Sequence, residues 1–153
     1  MTKYVSIDTN LLVLFVVGAT SKAYIKKHKR CGSFDVDDFD LLTGLLEFPR
    51  ELILTPNTLT ETSNLIRQIG DPICTEICLF FRAFIQGGRE CFVTSSKASA
   101  RNEFIRLGLT DAVLLEIASD DVMIVTSDLD LHVAASKAGY ATLNFNHLRD
   151  SRT

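Results

Sequence analysis

Short apolar runs alternate along this chain with longer segments in which apolar residues recur at helical spacing. The short runs predict five strands: Tyr4–Ile7, Glu51–Thr55, Glu90–Thr94, Val122–Thr126 and Ala141–Asn144. The longer segments predict seven helices: Thr9–Val17, Asp37–Phe48, Pro56–Ile69, Pro72–Gln86, Ser96–Leu107, Thr110–Ser119 and Asp130–Ala138. Such alternation is typical of right-handed crossovers and of a mostly parallel sheet covered on both faces. The pattern therefore predicts an α/β fold.

The chain is expected to form one domain, because no repeat, low-complexity stretch or linker divides residues 1–153. Its apolar content of 46% and charged content of 23% are ordinary for a globular protein. No secretory signal is recognisable, and the apolar run 11–17 is too short to span a bilayer. We therefore expect a cytoplasmic protein without membrane contact. The four cysteines contain no CxxC pair and are expected to be reduced thiols.

Residues 19–35 depart from this alternation and are expected to form an exposed extension of the first crossover, helical at its start. The extension contains the basic run Lys26-Lys27-His28-Lys29-Arg30. The acidic run that follows, residues 35–40, lacks EF-hand spacing and predicts a cap on the next helix. The net charge of −3 argues against a generic polyanion binder, although a bound metal would cancel acidic residues committed to it.

Four carboxylates are expected to meet at one edge of the predicted sheet. Asp8 directly follows the first strand, and Asp128 lies two residues beyond the fourth. Asp111 opens a helix behind Thr110, a candidate N-cap, and Glu61 lies in the first turns of another helix. Because the carboxyl ends of the strands form the ligand crevice of an open α/β sheet, these side chains should converge there.

Converging carboxylates repel each other unless a cation neutralises them. Oxygen ligands suit Mg²⁺ or Mn²⁺, and three or four carboxylates can hold two such ions about 4 Å apart. One ion then activates water and the other stabilises the leaving oxygen. The cluster therefore predicts a divalent-metal site for phosphate chemistry. Such a site needs no imidazole, so His28, His132 and His147 are expected to be ordinary surface or core residues.

Four segments resemble, in order, the motifs of PIN-domain nucleases, and the resemblance covers nearly the whole chain. They are Ser6-Ile7-Asp8-Thr9-Asn10, Leu59-Thr60-Glu61-Thr62-Ser63-Asn64, Gly108-Leu109-Thr110-Asp111-Ala112 and Val125-Thr126-Ser127-Asp128. The third segment is the most specific of the set. Each motif alone is weak, whereas their order and spacing together are distinctive.

The resemblance implies a PIN-like three-layer α/β/α sandwich whose central five-stranded parallel sheet has the N-terminal strand in the middle. It also implies Mg²⁺- or Mn²⁺-dependent hydrolysis of RNA phosphodiester bonds. The catalytic and metal-binding residues would be Asp8, Glu61, Asp111 and Asp128. Asn10 and Thr126 would be polar supports. Asp130 would either act through water or, as we favour, begin the last long helix.

Small single-domain members of this family are often toxins of toxin–antitoxin pairs, and often dimers. The resemblance therefore implies RNA, an antitoxin protein and a second copy of the chain as partners. The predicted helix Pro72–Gln86 is apolar enough to bury a dimer or partner face. The segment from Ala19 to Arg30 does not belong to the shared motifs.

RNA binding requires cations near the crevice, because phosphate contacts supply most of the affinity. The candidate substrate-binding residues form two groups, the basic run and the predicted helix that leads to Asp111. They are Lys26, Lys27, Lys29 and Arg30, then Lys97 and Arg101, with Arg106 less closely on the same helix face.

Two alternatives to a ribonuclease stay open. A catalytically silent PIN scaffold that binds RNA or protein would be expected to lack one of the carboxylates, and none is missing. A phosphatase of the haloacid-dehalogenase type, or a response-regulator receiver, would need an acid two residues after Asp8. Asn10 occupies that position, which counts against this second alternative.

Overall fold

Five parallel strands form a sheet with the first strand at its centre. The computed structural model describes residues 2–47 and 50–152. The strands are β1 Tyr4–Ile7, β2 Glu51–Leu54, β3 Arg89–Glu90, β4 Val122–Thr126 and β5 Thr142–Asn144. Their order across the sheet is β3-β2-β1-β4-β5, and every neighbouring pair is parallel. The predicted α/β class and the central position of β1 are confirmed.

Nine α-helices connect or follow these strands in the described part of the chain. They are α1 Thr9–Thr20, α2 Val36–Leu45, α3 Pro56–Ile66, α4 Ile73–Gly87, α5 Ser95–Ser99, α6 Phe104–Leu107, α7 Leu109–Ile117, α8 Leu129–Lys137 and α9 Phe145–Asp150. None of the helices within residues 2–47 and 50–152 is both long and apolar enough to span a membrane. The predicted end of the second helix, Phe48, lies outside the described residues.

Helices cover both faces of the sheet because successive strand residues point to opposite sides. Val5 and Ile7 of β1 pack with α1 and its neighbouring helices in one core cluster. On the other face, Ile124 of β4 packs with residues of α7 and α8, such as Leu114 and Leu131. Both clusters are buried, so the sheet is the middle of three layers.

Helix α1 lies deep in this packing because it is apolar on all sides. Its sequence from Leu11 to Val17 contains no charged residue, and six of these seven side chains are fully buried. A helix of this kind has no polar face to turn toward water. It therefore holds the residue before it, Asp8, in a fixed place at the carboxyl end of β1.

The third strand is shorter than the predicted Glu90–Thr94. Arg89 and Glu90 pair with β2, and one further backbone bond joins the Cys91 N–H to the Leu54 carbonyl at 2.8 Å. Thr94 then caps α5 by accepting from the Lys97 N–H. At Thr94 the chain has left the sheet, and the hydroxyl and carbonyl of this residue accept hydrogen bonds from the first turn of α5.

The predicted helix Ser96–Leu107 is wrong as a continuous element, because it is divided into α5 and α6. Arg101 lies in the break, with its side chain only 17% exposed and its guanidinium 3.2 Å from Glu103 and 3.8 Å from Glu116. Lys97 and Arg101 therefore do not share the face of one helix. The sequence pattern did not predict this break, because Glu116, one of the two glutamates near Arg101, lies on a different helix, α7.

The basic extension is neither a regular α-helix nor freely exposed. It forms two 3₁₀ turns, Lys22–Lys27 and Lys29–Cys31, tied to the core by the buried side chains of Ile25, His28 and Cys31. Imidazole Nδ1 of His28 accepts from the Arg30 N–H at 3.2 Å, and its Nε2 lies 3.0 Å from the Ile66 carbonyl. These contacts hold the segment in place while its lysine side chains face solvent.

The acidic run caps α2, as predicted. Asp35 accepts from the Asp38 N–H at 2.8 Å and Asp38 accepts from the Asp35 N–H at 2.9 Å, which is a reciprocal capping box. Asp38 also binds Arg149 and Arg152 near the end of the chain. The sequence pattern did not predict α9, so this connection between the second and last helices was not anticipated.

Candidate functional site

Asp8 lies at the carboxyl end of β1 and is almost fully buried, with 6% of its surface exposed. One carboxylate oxygen caps α1 by accepting from the Leu11 N–H at 3.0 Å. The other accepts from the Thr126 hydroxyl and from the Ser127 N–H, the latter at 2.9 Å. Pairing of Ile7 with Val125 places the two strand ends side by side and makes these contacts possible.

Asp128 lies at the neighbouring strand end and caps α8. Its carboxylate accepts from the Asp130 N–H at 2.8 Å, and its own N–H donates to the Thr126 hydroxyl oxygen at 2.9 Å. The Thr126 hydroxyl thus donates to the Asp8 carboxylate and accepts from the Asp128 backbone N–H. Asp130 lies in the first turn of α8, at the helix start that was favoured for it.

Glu61 reaches this edge from α3 and bonds two threonine hydroxyls that lie next to Asp8 and Asp111 in the chain. One carboxylate oxygen accepts from the Thr9 hydroxyl at 3.1 Å, and the other accepts from the Thr110 hydroxyl. Thr9 follows Asp8 in the chain and Thr110 precedes Asp111. The hydrogen bonds of Glu61 therefore bring a residue from the middle of the chain to both of those acids.

Asp111 lies in the first turn of α7, where the helix dipole favours a carboxylate. The prediction that Thr110 caps this helix is wrong, since the helix already begins at Leu109 and Gly108 occupies the cap. Gly108 has a positive φ of 89°, a conformation that glycine adopts without steric cost. This turn frees the Thr110 hydroxyl to donate to Glu61.

Two of the four acids, Asp111 and Asp8, have a raised pKa. Burial raises the pKa of Asp111 to about 7, with further repulsion from Asp128, Asp8 and Glu61. Burial also raises the pKa of Asp8, assisted by Asp128 and opposed by its hydrogen bonds from Thr126, Leu11 and Ser127. The predicted convergence of charge at this edge is therefore present in the folded chain.

No lysine or arginine within the described residues forms an ion pair with any of the four acids. In contrast, Asp38 has two arginine partners. Carboxylate oxygens are the donors that Mg²⁺ and Mn²⁺ prefer. In donor type and in unbalanced charge, the cluster fits a divalent cation.

The positions of the acids suit a metal ion less well than their oxygen donors do. Among residues 2–47 and 50–152, no three His, Cys, Asp or Glu side chains are positioned to hold one ion. The carboxylate of Glu61 is engaged by two threonines, and Asp8 and Asp128 each cap a helix. The residues suitable for a metal are thus gathered at one edge but are hydrogen-bonded to the protein.

The candidate substrate-binding residues lie in different surroundings. Lys29 and Arg30 line a cleft that also contains Asn10, the predicted polar support two residues after Asp8. Lys26 faces a separate cleft lined by Asp35 and Asp37. Lys27 lies over the Tyr24 ring, Lys97 is exposed on α5, and Arg101 is bound to two glutamates. The structure thus separates residues that the sequence grouped together.

Three site residues were missed by the sequence analysis: Thr9, Thr110 and Ser127. Each is adjacent in the chain to one of the predicted acids, and each donates a hydrogen bond to a carboxylate of the cluster. A polar residue beside a predicted catalytic acid was the available signal. The specific pairing with Glu61 could not be predicted, because it depends on how α3 lies against α7.

Replacing Asp111 with Asn should make the protein more stable at alkaline pH. The folded pKa near 7 exceeds the ordinary value of 3.8, so the free energy of unfolding falls as pH rises between these values. One pKa unit corresponds to about 1.4 kcal/mol. Because this half-buried carboxyl is screened by water, we expect a gain of about 1–2 kcal/mol at pH 8 and almost none at pH 4.

Urea unfolding of both proteins at pH 4 and pH 8, in EDTA, measures this difference. An equal gain at the two pH values would show that repulsion at Asp111 is not its cause. Adding Mn²⁺ at pH 8 should stabilise the wild type more than Asp111→Asn, since a cation bound only to the folded state shifts the equilibrium toward it.

No protein-family model, curated protein or solved structure matches this chain. The gathering of four acids that have no lysine or arginine partner among the described residues is therefore the observation from which a function is inferred.

Proposed function

We propose that this protein is a metal-dependent nuclease that hydrolyses RNA phosphodiester bonds at the edge formed by Asp8, Glu61, Asp111 and Asp128. The observation that carries the proposal is the meeting of these four acids without a lysine or arginine partner in the described chain. Their segments are also those that resemble the PIN-domain motifs.

The burial and hydrogen bonds of each acid indicate its role in the proposed reaction. Asp8 is held by α1, Thr126 and Ser127, so it provides a fixed point in the site. Asp111 is half-buried with a pKa near 7, so it can hold or release a proton near neutral pH. Glu61 and Asp128 are exposed at the rim, where substrate has access. A bound Mg²⁺ or Mn²⁺ would supply an activated water and neutralise the phosphate.

One observation favours a second candidate, the catalytically silent scaffold that binds RNA or protein. Within the described residues the acids do not form a ready-made metal site. A scaffold would keep Asp8, Glu61 and Asp128 in their present hydrogen bonds and would bind RNA equally well with or without a divalent cation. Metal dependence therefore distinguishes the two functions.

The test is an RNA cleavage assay with purified protein and Mn²⁺ or Mg²⁺. We expect a labelled RNA to be cut when either cation is present and to stay intact when EDTA replaces it. Addition of excess Mn²⁺ after EDTA should restore cutting. Cleavage undiminished in EDTA would indicate a contaminant or a different mechanism, and absence of cleavage with both cations would favour the scaffold.

The resemblance also suggests a biological setting, a toxin that is restrained by an antitoxin and that forms a dimer. Helix α4 supports this proposal in one respect. Leu79 is 51% exposed on it, although Ile77 and Phe81 of the same helix are buried in the core. Sedimentation of the purified chain would measure whether it forms a dimer.

A further inference from the structure

A cleft of about 550 Å³ lies next to Asp8, and none of the described residues that line it is acidic. It is built from α1, the second 3₁₀ turn and the loop after it, the β4–α8 connection and α9. The lining residues are Asn10, Lys29, Arg30, Gly32, Ser33, Phe34, Ser127, Asn146 and Arg149. Three of these nine residues are cationic, next to a cluster of four carboxylates.

Ser127 joins the cleft directly to the acidic cluster. Its N–H donates to Asp8 at 2.9 Å, while its carbonyl accepts from the Asn146 side-chain amide at 3.0 Å. The same residue therefore belongs to the wall of the cleft and to the hydrogen bonds that hold Asp8. A strand of nucleic acid lying in the cleft would contact Ser127 and so lie next to the residue that bonds Asp8.

Two of the three cleft cations have no ion-pair partner among the described residues. Arg30 bonds the uncharged Gln68 at 2.7 Å, and Lys29 forms no ion pair with the described residues. The third, Arg149, is paired with the carboxylate of Asp38. Lys29 and Arg30 are therefore the cleft cations that can pair with an anionic ligand.

The walls of the cleft are held in place before any ligand binds. His28, fully buried, accepts from the Arg30 N–H and contacts the Ile66 carbonyl, which fixes the backbone that carries both cations. On the opposite wall, Arg149 donates to the Ser33 carbonyl at 2.7 Å and to the Asn146 side chain at 3.1 Å. Such pre-organisation reduces the ordering cost of binding.

We propose that this cleft binds the backbone phosphates of the RNA strand next to the bond that is cut at the acidic cluster. The position of the cut bond in this inference rests on the proposed nuclease function, whereas RNA binding in the cleft does not require catalysis. Lys29 and Arg30 contact phosphate oxygens, and the polar side chains of Asn10 and Asn146 line the path toward Asp8. Lys26 and Lys27, although adjacent in the chain, take no part.

The experiment compares two double variants that each remove two positive charges from the same short segment. Lys29→Ala/Arg30→Ala alters the cleft, whereas Lys26→Ala/Lys27→Ala alters cations outside it. Affinity for a fluorescent single-stranded RNA is measured by anisotropy in EDTA, so that no cleavage interferes. Thermal unfolding verifies that both variants are folded, and Lys29→Glu, which disturbs no ion pair of the described chain, provides a third variant.

We expect the cleft variant to bind at least ten-fold more weakly and the control variant less than three-fold. The slope of log affinity against log salt should fall by about 1.4 in the cleft variant, since each phosphate contact to a single strand contributes about 0.7. Equal losses in the two double variants would overturn the proposal, as would unaltered binding by Lys29→Glu.

The outcomes for the cleft and for the nuclease are separable. RNA binding that depends on Lys29 and Arg30 without any metal-dependent cleavage would refute the nuclease and support the cleft. Metal-dependent cleavage together with equal affinities of the two double variants would refute the cleft and support the nuclease. A wild-type protein that binds no RNA in this assay would refute the cleft as an RNA site.

Discussion

Replacing Asp8 or Asp111 with Asn is expected to reduce RNA cleavage at least a hundred-fold. Asn has nearly the same shape as Asp but carries no charge, so either change removes the negative charge and one carboxylate oxygen of a proposed metal ligand without creating a cavity. A hundred-fold loss corresponds to about 2.7 kcal/mol of transition-state stabilisation. The residual activity should not be restored by more Mn²⁺ if the missing carboxylate is an essential ligand.

The two substitutions should differ in their effect on folding, which makes the comparison informative. Both Asp8 carboxylate oxygens accept hydrogen bonds, one from Leu11 and the other from Thr126 and Ser127, whereas Asn keeps a single acceptor oxygen. We expect the lost acceptor to outweigh the relief of burying a charge, which raises the pKa of Asp8, so Asp8→Asn should cost stability. At Asp111 the charge is repelled by its neighbours, so Asp111→Asn should gain stability. Loss of activity in a more stable Asp111→Asn protein cannot be attributed to unfolding.

Asp120→Asn serves as the matched control. Asp120 is exposed in the turn before β4, at the amino ends of the strands and thus opposite the proposed site. This control removes one negative charge but should leave cleavage within about two-fold, because a surface charge this far from the substrate is screened by salt. Full activity in Asp8→Asn and Asp111→Asn, measured under single-turnover conditions, would refute the assignment of both residues.

Much of the site was predictable because its position depends on local rules. An Asp one or two residues beyond a strand places its carboxylate at the sheet edge, and this held for Asp8 and Asp128. The mainly apolar sequences of β1 and β4 suit strands covered on both faces, whereas the central position of β1 was implied by the resemblance. The acidic run at α2 was predictable for a similar reason, because helix capping involves residues three positions apart.

Other features depend on contacts between distant parts of the chain and gave no local signal. Glu61 joins Thr9 and Thr110 across 52 and 49 positions. The predicted helix Ser96–Leu107 is broken at Arg101, whose guanidinium lies near Glu103 and Glu116. The six residues of α9 are too few for a recognisable apolar period, so the wall they contribute to the cleft was not foreseen.

Asp38→Ala is expected to destabilise the protein by about 2–4 kcal/mol. The Asp38 side chain is 1% exposed and binds both Arg149 and Arg152, so its removal takes away the carboxylate that these two cations share. The loss of its capping bond to the Asp35 N–H adds a smaller cost. Asp37→Ala, an exposed change in the same helical turn, should alter the free energy of unfolding by no more than about 0.5 kcal/mol.

The pH dependence of this difference identifies its cause. Burial alone would raise the pKa of Asp38, but its bonds from Asp35, Arg149 and Arg152 outweigh burial and leave the pKa below its ordinary value of 3.8. The stabilisation by the carboxylate is therefore complete above pH 3.8 and is lost as pH falls through the folded pKa. Urea unfolding should show a large difference between wild type and Asp38→Ala at pH 7 that narrows below pH 3.8. A difference that persists unchanged in acid would mean that packing, and not the ion pairs that anchor Arg149 beside the cleft, accounts for the loss.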